Sequence, residues 1–189
     1  MKKIVLLLMI LSTWTMATTT WLNPNAGDTP VLGTVGCTNA YQCVDEGYPP
    51  STTDYIYPDT ALMNCTASSA FFNFENLPAS ATQVDYIVIY YYAMTDVRTV
   101  WLPGGVRSFR IKNIIVPHLS EGGDVYIDTV HSRTTTSSYQ YHYVAYQLNP
   151  MTGEAWTVSE VNNLRAGYCI GNYAWGARLA QMDILVSYD

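Results

Sequence analysis

The sequence predicts an all-β protein, an antiparallel β-sandwich of jelly-roll type with one short helix that caps an end. Apolar and polar residues alternate with a period of two through most of the chain. Clusters of glycine, proline and other turn formers separate the alternating runs. Only residues 156–167 have the spacing and end signals of a helix. Strands at this spacing, with almost no helix, favour two packed antiparallel sheets.

Residues 1–17 have the layout of a secretory signal peptide. Lys2 and Lys3 give a positive start, residues 4–11 are an uninterrupted apolar run, and Thr15 and Ala17 are placed as a signal peptidase requires. A membrane-spanning helix needs about 20 apolar residues, and this run is shorter. We therefore predict cleavage after Ala17 and a secreted or cell-surface protein without a transmembrane segment.

Residues 18–189 are predicted to form a single β-sandwich domain, because no internal repeat or linker divides them. Once Lys2 and Lys3 leave with the signal, seven of the nine basic residues face fifteen acidic ones, a formal net charge of −8. Nucleic-acid binding normally requires a basic stripe, so we expect no nucleic-acid partner. The same charge disfavours anionic membrane surfaces.

Four cysteines fit an oxidising compartment: Cys37, Cys43, Cys65 and Cys169. They allow three pairings, and the sequence alone leaves all three open. We favour Cys37–Cys43, which closes a short turn-like loop, and Cys65–Cys169, which would join an early strand to a late one. A metal site is the alternative, but no C-x-x-C spacing occurs and no histidine is close in sequence to a cysteine. We therefore expect neither a metal nor another cofactor.

The clearest strands are residues 84–92 and the run that ends the chain. The first is apolar on both faces, which predicts a central strand or one whose outer side is covered by a loop. In the second, alternate residues from Met182 to Tyr188 are apolar, and Asp183 and Ser187 lie on the predicted wet face. Turn-forming sequences separate such runs at residues 102–105, 120–124 and 149–154.

The predicted helix has a capping pair, one narrow apolar stripe and a C-terminal glycine: Thr157 with Glu160, then Val158, Val161 and Leu164, then Gly167 after Arg165. Gly167 is expected to take the left-handed conformation that ends a helix. A helix this short is stable only when packed, so we predict that it plugs the open end of the sandwich. A catalytic role for Glu160 is the alternative, but the cap already uses this side chain.

Sixteen tyrosines and five tryptophans, many of them grouped, raise the question of a binding face. Tyr139, Tyr141 and Tyr143 alternate, so all three project from one side of a strand. Aromatic rings with polar tips suit stacking on sugars or contact with a protein. The alternative is a tyrosine-rich exterior that binds nothing.

The signals for an enzyme are weak. Asp124 and Asp128 would share a strand face, but about 13 Å apart at the backbone is wide for the carboxylate pair of a glycoside hydrolase. We therefore interpret them as part of a solvated strand face. His131 and His142 could face each other across a hairpin, but two histidines without a third ligand are a weak metal signal. No G-x-S-x-G motif occurs, and we expect no catalytic residue.

Short motifs along the chain carry a resemblance to a known domain: residues 41–46, 54–56, 72–78 and 81–84, then Trp156, 161–164, Gly167 and the closing strand. In this combination the chain resembles a β-sandwich domain that recurs in phage virion and tail-associated proteins and in secreted microbial proteins of unknown role. The resemblance covers nearly the whole mature chain. It implies a structural or surface-exposed binding module and transfers no catalytic residue. The signal peptide and the four cysteines depart from it and point to an exported protein.

These observations predict a secreted, non-enzymatic structural or adhesive surface protein. Self-association and a cell-surface, glycan or protein partner are all compatible with this prediction. An extracellular carbohydrate-binding module is the alternative, and a glycoside hydrolase-like enzyme is the third hypothesis. An aromatic row flanked by amide or acid side chains would favour carbohydrate binding. Convergent acids or histidines with perturbed pKa values would favour the enzyme. A flat apolar patch or an unpaired edge strand would favour self-association.

Overall fold

The computed structural model describes residues 17–28, 32–45, 49–58, 70–95, 97–102, 105–110, 114–121, 124–134, 136–171 and 177–189. Within these ranges the chain forms two antiparallel sheets of six strands each and one two-stranded hairpin, with a single short α-helix and a 3-10 turn. The predicted all-β class is confirmed, and the jelly-roll connection remains a prediction. The proposed signal peptide before Ala17 lies outside the described residues.

In chain order the described strands are β1 (Thr18–Leu22), β2 (Pro24–Asp28), β3 (Leu32–Val35), β4 (Tyr55–Pro58), β5 (Ala70–Phe74), β6 (Val84–Thr95), β7 (Val97–Leu102), β8 (Gly105–Arg110), β9 (Ile114–Glu121), β10 (Asp124–Ile127), β11 (Arg133–Thr134), β12 (Gln140–Tyr146), β13 (Arg165–Gly171) and β14 (Ala177–Tyr188). The first sheet has the order β12-β6-β14-β4-β3, with β1 beside β14. The second has the order β10-β9-β13-β5-β2, with β11 beside β9. Strands β7 and β8 pair with each other.

Strand β6 is central in the first sheet, between β12 and β14, as its two apolar faces predict. Ile87, Ile89 and Tyr91 on its inner side are buried in the core. On its outer side, Tyr90 and Tyr92 are half-buried. Residues from both sheets, such as Phe72, Leu119 and Ile184, make up the core between them.

The predicted wet face of the last strand is wrong. Asp183 and Ser187 are both buried on β14. Ser187 donates a hydrogen bond to Asp85 Oδ2 at 2.9 Å, so its hydroxyl has a partner inside the protein. Alternation fixes which side of a strand a residue takes, but not whether other elements cover that side.

The predicted capping box is present on helix α1 (Val158–Asn162). Thr157 Oγ1 accepts from the Glu160 amide at 3.1 Å, and Glu160 Oε2 accepts from the Thr157 amide at 2.6 Å. Val161 and Leu164 are buried, as the apolar stripe predicts. Two long-range hydrogen bonds anchor the segment, because Asn162 Oδ1 accepts from the Leu77 amide and the Trp156 indole donates to the Tyr146 carbonyl.

The predicted end of the helix is wrong. Asn163 is the C-cap residue, and Gly167 lies in β13 instead of taking a left-handed cap conformation. Strand β13 pairs with β5 on one side and with β9 on the other, where Gly167 is opposite Phe71 and His118. Two ladders of backbone hydrogen bonds in a sheet replace the single extra turn that the local sequence suggested.

The turn at residues 149–154 matches its prediction. The Asn149 carbonyl accepts from the Gly153 amide at 2.7 Å, and Gly153 has a positive φ of 79°. Glycine adopts this conformation without the steric cost that a Cβ atom brings. The centres of the other two predicted turns, at residues 103–104 and 122–123, lie outside the described residues.

The predicted Cys37–Cys43 disulfide is present and closes the loop around the 3-10 turn Ala40–Cys43. Cys65 lies outside the described residues, so the Cys65–Cys169 pair remains a prediction. Among the residues that the structure describes, no helix has the length and apolar character to cross a membrane.

Candidate binding site

The tyrosine row predicted from alternation lies on the outer side of the first sheet. Tyr141 and Tyr143, on β12, are 43% and 63% exposed, and Tyr139 just before the strand is half-buried. Val144 and Tyr146 point the other way and are buried in the core. The strand therefore has the two faces that its sequence predicts.

Strand pairing places further aromatic rings beside this row. In the register of β12 and β6, Tyr143 is opposite Tyr90 and Tyr141 is opposite Tyr92. Trp21, on β1, lies against Tyr90 from the other side and is 50% exposed. We call this aromatic outer side of the first sheet the tyrosine face, formed by Trp21, Tyr90, Tyr92, Tyr139, Tyr141 and Tyr143.

The rings of the tyrosine face form two clusters. In one, Tyr90 lies between Trp21, at 5.0 Å between ring centroids, and Tyr143, at 5.9 Å. In the other, Tyr92 contacts Tyr139 at 5.0 Å, with the two rings stacked, and Tyr141 at 4.5 Å. Each such pair contributes about 0.5–1.5 kcal/mol beyond the area that it buries. The half-buried rings thus support the exposed ones.

A chain of polar side chains joins the tyrosine face to β14. The Tyr141 hydroxyl donates to Gln181 Oε1 at 3.2 Å. The Gln181 amide nitrogen in turn donates a hydrogen bond to Asp183 Oδ2. The register of β14 and β6 puts Gln181 opposite Tyr92 and Asp183 opposite Tyr90, on the aromatic side of the sheet. An amide and an acid therefore lie among the rings.

Asp183 is only 5% exposed, and its Oδ1 atom has no hydrogen-bond partner within the described part of the chain. Burial raises the pKa of this carboxyl group to about 7, the hydrogen bond from Gln181 opposes the rise, and the charge of Asp45 adds to it. The segment carrying Asp45 lies along β14 because the Val44 carbonyl accepts from the Met182 amide at 3.1 Å. Asp183 therefore changes its charge near neutral pH.

A second polar cluster contains Asp128, which sequence reasoning explained as part of a solvated strand face. That explanation is wrong for Asp128, because β10 ends at Ile127 and the Asp128 side chain is buried. Its Oδ2 atom accepts from the Tyr146 hydroxyl at 2.7 Å and lies 2.6 Å from His131 Nδ1. Its Oδ1 atom accepts from the His131 amide at 3.0 Å. Asp124, by contrast, is exposed.

These hydrogen bonds determine the charge of Asp128. Burial alone would raise its pKa, but the donors from Tyr146 and His131 outweigh that effect and hold the pKa below its usual value. An aspartate that orients a histidine is one half of a hydrolytic arrangement, which also needs a nucleophile. Within the described residues, no hydroxyl or thiol is hydrogen-bonded to the second ring nitrogen of His131. The hydrogen bond from Tyr146 to Asp128 joins β12 of the first sheet to the turn after β10 of the second.

The hairpin that would let His131 and His142 face each other does not form. Strand β10 pairs with β9 in the second sheet, whereas β12 pairs with β6 in the first, so the two segments do not form a hairpin. The described residues contain no group of three or more metal-ligating side chains that could hold an ion.

The Glu160 side chain accepts a hydrogen bond from the backbone amide of Thr157 at the start of helix α1. Hydrogen bonds from Thr157 and Asn149 overcome the effect of burial and lower the pKa of Glu160. Asn149 Nδ2 is 3.1 Å from Glu160 Oε1 and 3.4 Å from Glu121 Oε2. Burial and the Glu160 charge raise the pKa of Glu121. Glu160 is therefore ionised at neutral pH and does not have the raised pKa of a general acid.

Sequence reasoning found the exposed tyrosines of β12 but missed the other side chains of the site: Trp21, Tyr90, Tyr92, Gln181 and Asp183. The last of these carried a usable signal, since an acid within an apolar run is unusual. The grouping itself depends on pairing between β1, β6, β12 and β14, which are far apart in sequence.

No protein-family model matches the chain, and no curated protein matches it. The fold and the site together define an all-β protein of two sheets with an aromatic outer face that contains one amide and one acid.

Proposed function

We propose that the protein is a secreted, non-enzymatic adhesive surface protein whose tyrosine face binds carbohydrate. The observation that carries this proposal is the presence of three exposed rings, Trp21, Tyr141 and Tyr143, on one sheet face beside an amide–acid pair. Sugars present apolar C–H faces to aromatic rings and hydroxyl groups to polar tips such as the phenol oxygen. Gln181 and Asp183 are buried and bonded to each other, so their contribution is to hold Tyr141 in the row of exposed rings.

Contacts between the half-buried and the exposed rings favour ligand binding. Tyr90 and Tyr92 are half-buried and contact the exposed rings of Trp21, Tyr143 and Tyr141. A ring that is already held in position loses little conformational entropy when a ligand binds. Strands also position side chains more accurately than loops do. The tyrosine face is thus pre-organised for a ligand that stacks.

The non-enzymatic part of the proposal depends on the acids that a hydrolase would need. Asp128 is buried and engaged with Tyr146 and His131, and Glu160 is engaged in the helix cap. Both have lowered pKa values, whereas a general acid needs a raised one.

Asp183 and Glu121 do have raised pKa values. Asp183, however, is buried and bonded to Gln181, and Glu121 is hydrogen-bonded to Asn149.

Export and a surface role have three supports. The layout of residues 1–17 is that of a signal peptide. The Cys37–Cys43 bond is typical of an oxidising compartment. The resemblance to virion-associated and secreted β-sandwich domains, with their jelly-roll connection, implies a structural or binding module.

Self-association through the same face is the second candidate. Tryptophan and tyrosine are the residue types that most often dominate protein interfaces. Trp21 and Tyr143 would then meet a second copy of the chain instead of a sugar.

Calorimetric titration with soluble cello-, chito- and manno-oligosaccharides tests the proposal. We expect at least one series to bind, and Tyr143→Ala and Trp21→Ala each to weaken binding between about two- and tenfold. Val130→Ala is the matched control, because Val130 is exposed in the turn after β10, away from the tyrosine face.

Two results would contradict carbohydrate binding: no response to any series, or full affinity in both aromatic variants. Light scattering over a range of protein concentrations separates the second candidate. Dimers that disappear in Tyr143→Ala, together with no oligosaccharide binding, would favour self-association.

A further inference from the structure

We propose that Trp21, Tyr90 and Tyr143 form a cross-strand row that binds one extended glycan chain, in which the sugar units are joined through equatorial bonds. This inference rests on the proposed function and deepens it, because it names the class of carbohydrate and the path that the chain takes over the sheet. It depends on the order, the spacing and the tilt of the three rings.

The cross-strand row runs over the first sheet from β1 to β12. Strand β14 separates β1 from β6, and β12 lies on the far side of β6. Trp21 is opposite Leu185 on β14, yet its ring contacts Tyr90 on β6, so the Trp21 side chain extends across β14. Tyr143 contacts Tyr90 from the other side. The rings therefore follow one another in the order Trp21, Tyr90, Tyr143.

The spacing of these rings suits consecutive sugar units. The ring centroids are 5.0 Å apart from Trp21 to Tyr90 and 5.9 Å apart from Tyr90 to Tyr143. One pyranose unit of an extended chain advances by a comparable length. A chain that follows the cross-strand row thus places one sugar near each ring, and a trisaccharide is the shortest chain that reaches from Trp21 to Tyr143.

The two ends of the cross-strand row are its open positions. Trp21 is 50% exposed and Tyr143 is 63% exposed, whereas Tyr90 between them is half-buried. The end rings therefore offer most of the surface on which a sugar can stack, and Tyr90 sets the distance between them. A chain bound at one end meets the other end at a high effective concentration, so the two contacts reinforce each other.

The order and spacing of the rings select the linkage of the chain. Pyranose units joined through equatorial bonds form an extended ribbon that presents C–H faces along its length, as in cello-, chito- and manno-oligosaccharides. The axial bonds of malto-oligosaccharides produce a coiled chain instead. The ribbon can stay in contact with both Trp21 and Tyr143, whereas the coil departs from the line that joins them.

The tilt of the rings favours a single chain over a flat surface of packed chains. The Tyr90 ring makes an angle of 57° with the Trp21 ring and 33° with the Tyr143 ring. Because these angles differ, the planes of Trp21 and Tyr143 cannot be parallel. A crystalline glycan surface holds its sugar rings in one plane and can stack on only one of the two. A single chain can twist about its linkages and stack on both.

Calorimetric titration with oligosaccharides of increasing length tests the cross-strand row. The probes are the disaccharides, trisaccharides and hexasaccharides of the cello-, chito- and manno- series. In at least one series we expect the trisaccharide to bind about two- to tenfold more tightly than the disaccharide, because it gains a second aromatic contact. Malto-oligosaccharides of the same lengths should show no such gain.

Variants at the two ends show whether the gain comes from these rings. Trp21→Ala and Tyr143→Ala should each remove the gain but weaken disaccharide binding much less, because a disaccharide can use the remaining end. Trp21→Phe and Tyr143→Phe, the matched controls, keep a ring and should keep the gain. Tyr143 is mostly exposed, so Tyr143→Ala should keep the wild-type urea midpoint even if Trp21→Ala disturbs β1. A gain that persists in both alanine variants would overturn the inference.

Retention by insoluble polysaccharide tests the argument from tilt. We expect that the protein binds soluble oligosaccharides but is not retained by crystalline cellulose or crystalline chitin. Retention that Trp21→Ala and Tyr143→Ala both abolish would show that the two rings act as one flat platform, and it would overturn the single-chain path.

The outcomes separate the two proposals. Binding that depends on Trp21 and Tyr143 but is equal at every chain length, or that shows the same gain with malto-oligosaccharides, would leave the proposed function standing and overturn this inference. No binding to any series would overturn the proposed function, and this inference with it.

Discussion

The Tyr146 hydroxyl donates to Asp128 Oδ2 at 2.7 Å, which joins the inner side of the first sheet to the turn after β10 in the second. A second tyrosine makes a similar connection, since the Tyr91 hydroxyl donates to the Gly167 carbonyl at 3.3 Å. Both tyrosines are buried. Apolar packing alone leaves the sliding of one sheet over the other weakly specified, whereas these directional contacts fix it.

Tyr146→Phe should destabilise the fold by about 1–3 kcal/mol, because it leaves the buried Asp128 carboxylate without one of its donors. The free energy of unfolding in urea measures this effect. Tyr143→Phe is the matched control, since the Tyr143 side chain is mostly exposed, and it should be nearly neutral. Equal urea midpoints for the two variants would show that the Tyr146 hydroxyl contributes nothing to stability.

The lowered pKa of Asp128 should make stability fall in acid. The folded-state pKa lies below the ordinary value of 3.8, so the contribution is fully present above that value and is lost as the pH falls through the folded-state pKa. Asp128→Asn should therefore be less stable than the wild type at neutral pH, and the difference should shrink below about pH 4. A difference that stays constant from neutral to acid pH would contradict the lowered pKa.

Asp183 should have the opposite effect on stability. Its folded-state pKa is raised from 3.8 to about 7, so its stabilising contribution is complete below 3.8 and declines as the pH rises to 7. The stability of Asp183→Asn relative to the wild type should increase by about 1.4 kcal/mol per pH unit across that window and level off above it. Urea titrations at several pH values measure this slope. Parallel curves for the two proteins would mean that Asp183 is ionised throughout.

Helix α1 should contribute through packing and capping. Leu164→Ala should cost about 2–5 kcal/mol, as truncation of a buried leucine does. Thr157→Ala should cost about 1 kcal/mol through loss of the cap, whereas Thr157→Ser, which keeps the hydroxyl, should cost much less. Equal losses in the alanine and serine variants would mean that the threonine methyl group, and not the cap, is important.

The N-terminus of exported material should be Thr18, the residue at which β1 begins. Cleavage after Ala17 would leave every β1 residue available to pair with β14. N-terminal sequencing or intact mass measurement of protein recovered outside the cell would identify this end. An intact Met1 on exported protein would rule out the signal-peptide hypothesis.

The sequence predicted the features that depend on neighbours along the chain. Alternation placed Tyr143 outside and Val144 inside, and the T-x-x-E pattern located the helix cap. It did not predict features that depend on distant pairing. Local sequence places Gly167 at a helix end, because a short window does not show the two strands that pair with β13. It predicts an exposed Asp183, because the segments that bury this side chain are distant in sequence. The position of Trp21 on the tyrosine face likewise depends on the pairing of β1 with β14.

The pairing of β1 with β14 has a consequence for how the tyrosine face responds to force. Thr18 is opposite Tyr188, so a pull between these two strand ends would load the hydrogen bonds one at a time, like the opening of a zipper. Trp21 lies on β1 and contacts Tyr90. A weak force would therefore peel this ring from the tyrosine face before the core opens, and the Trp21–Tyr90 contact would reform when the load ends.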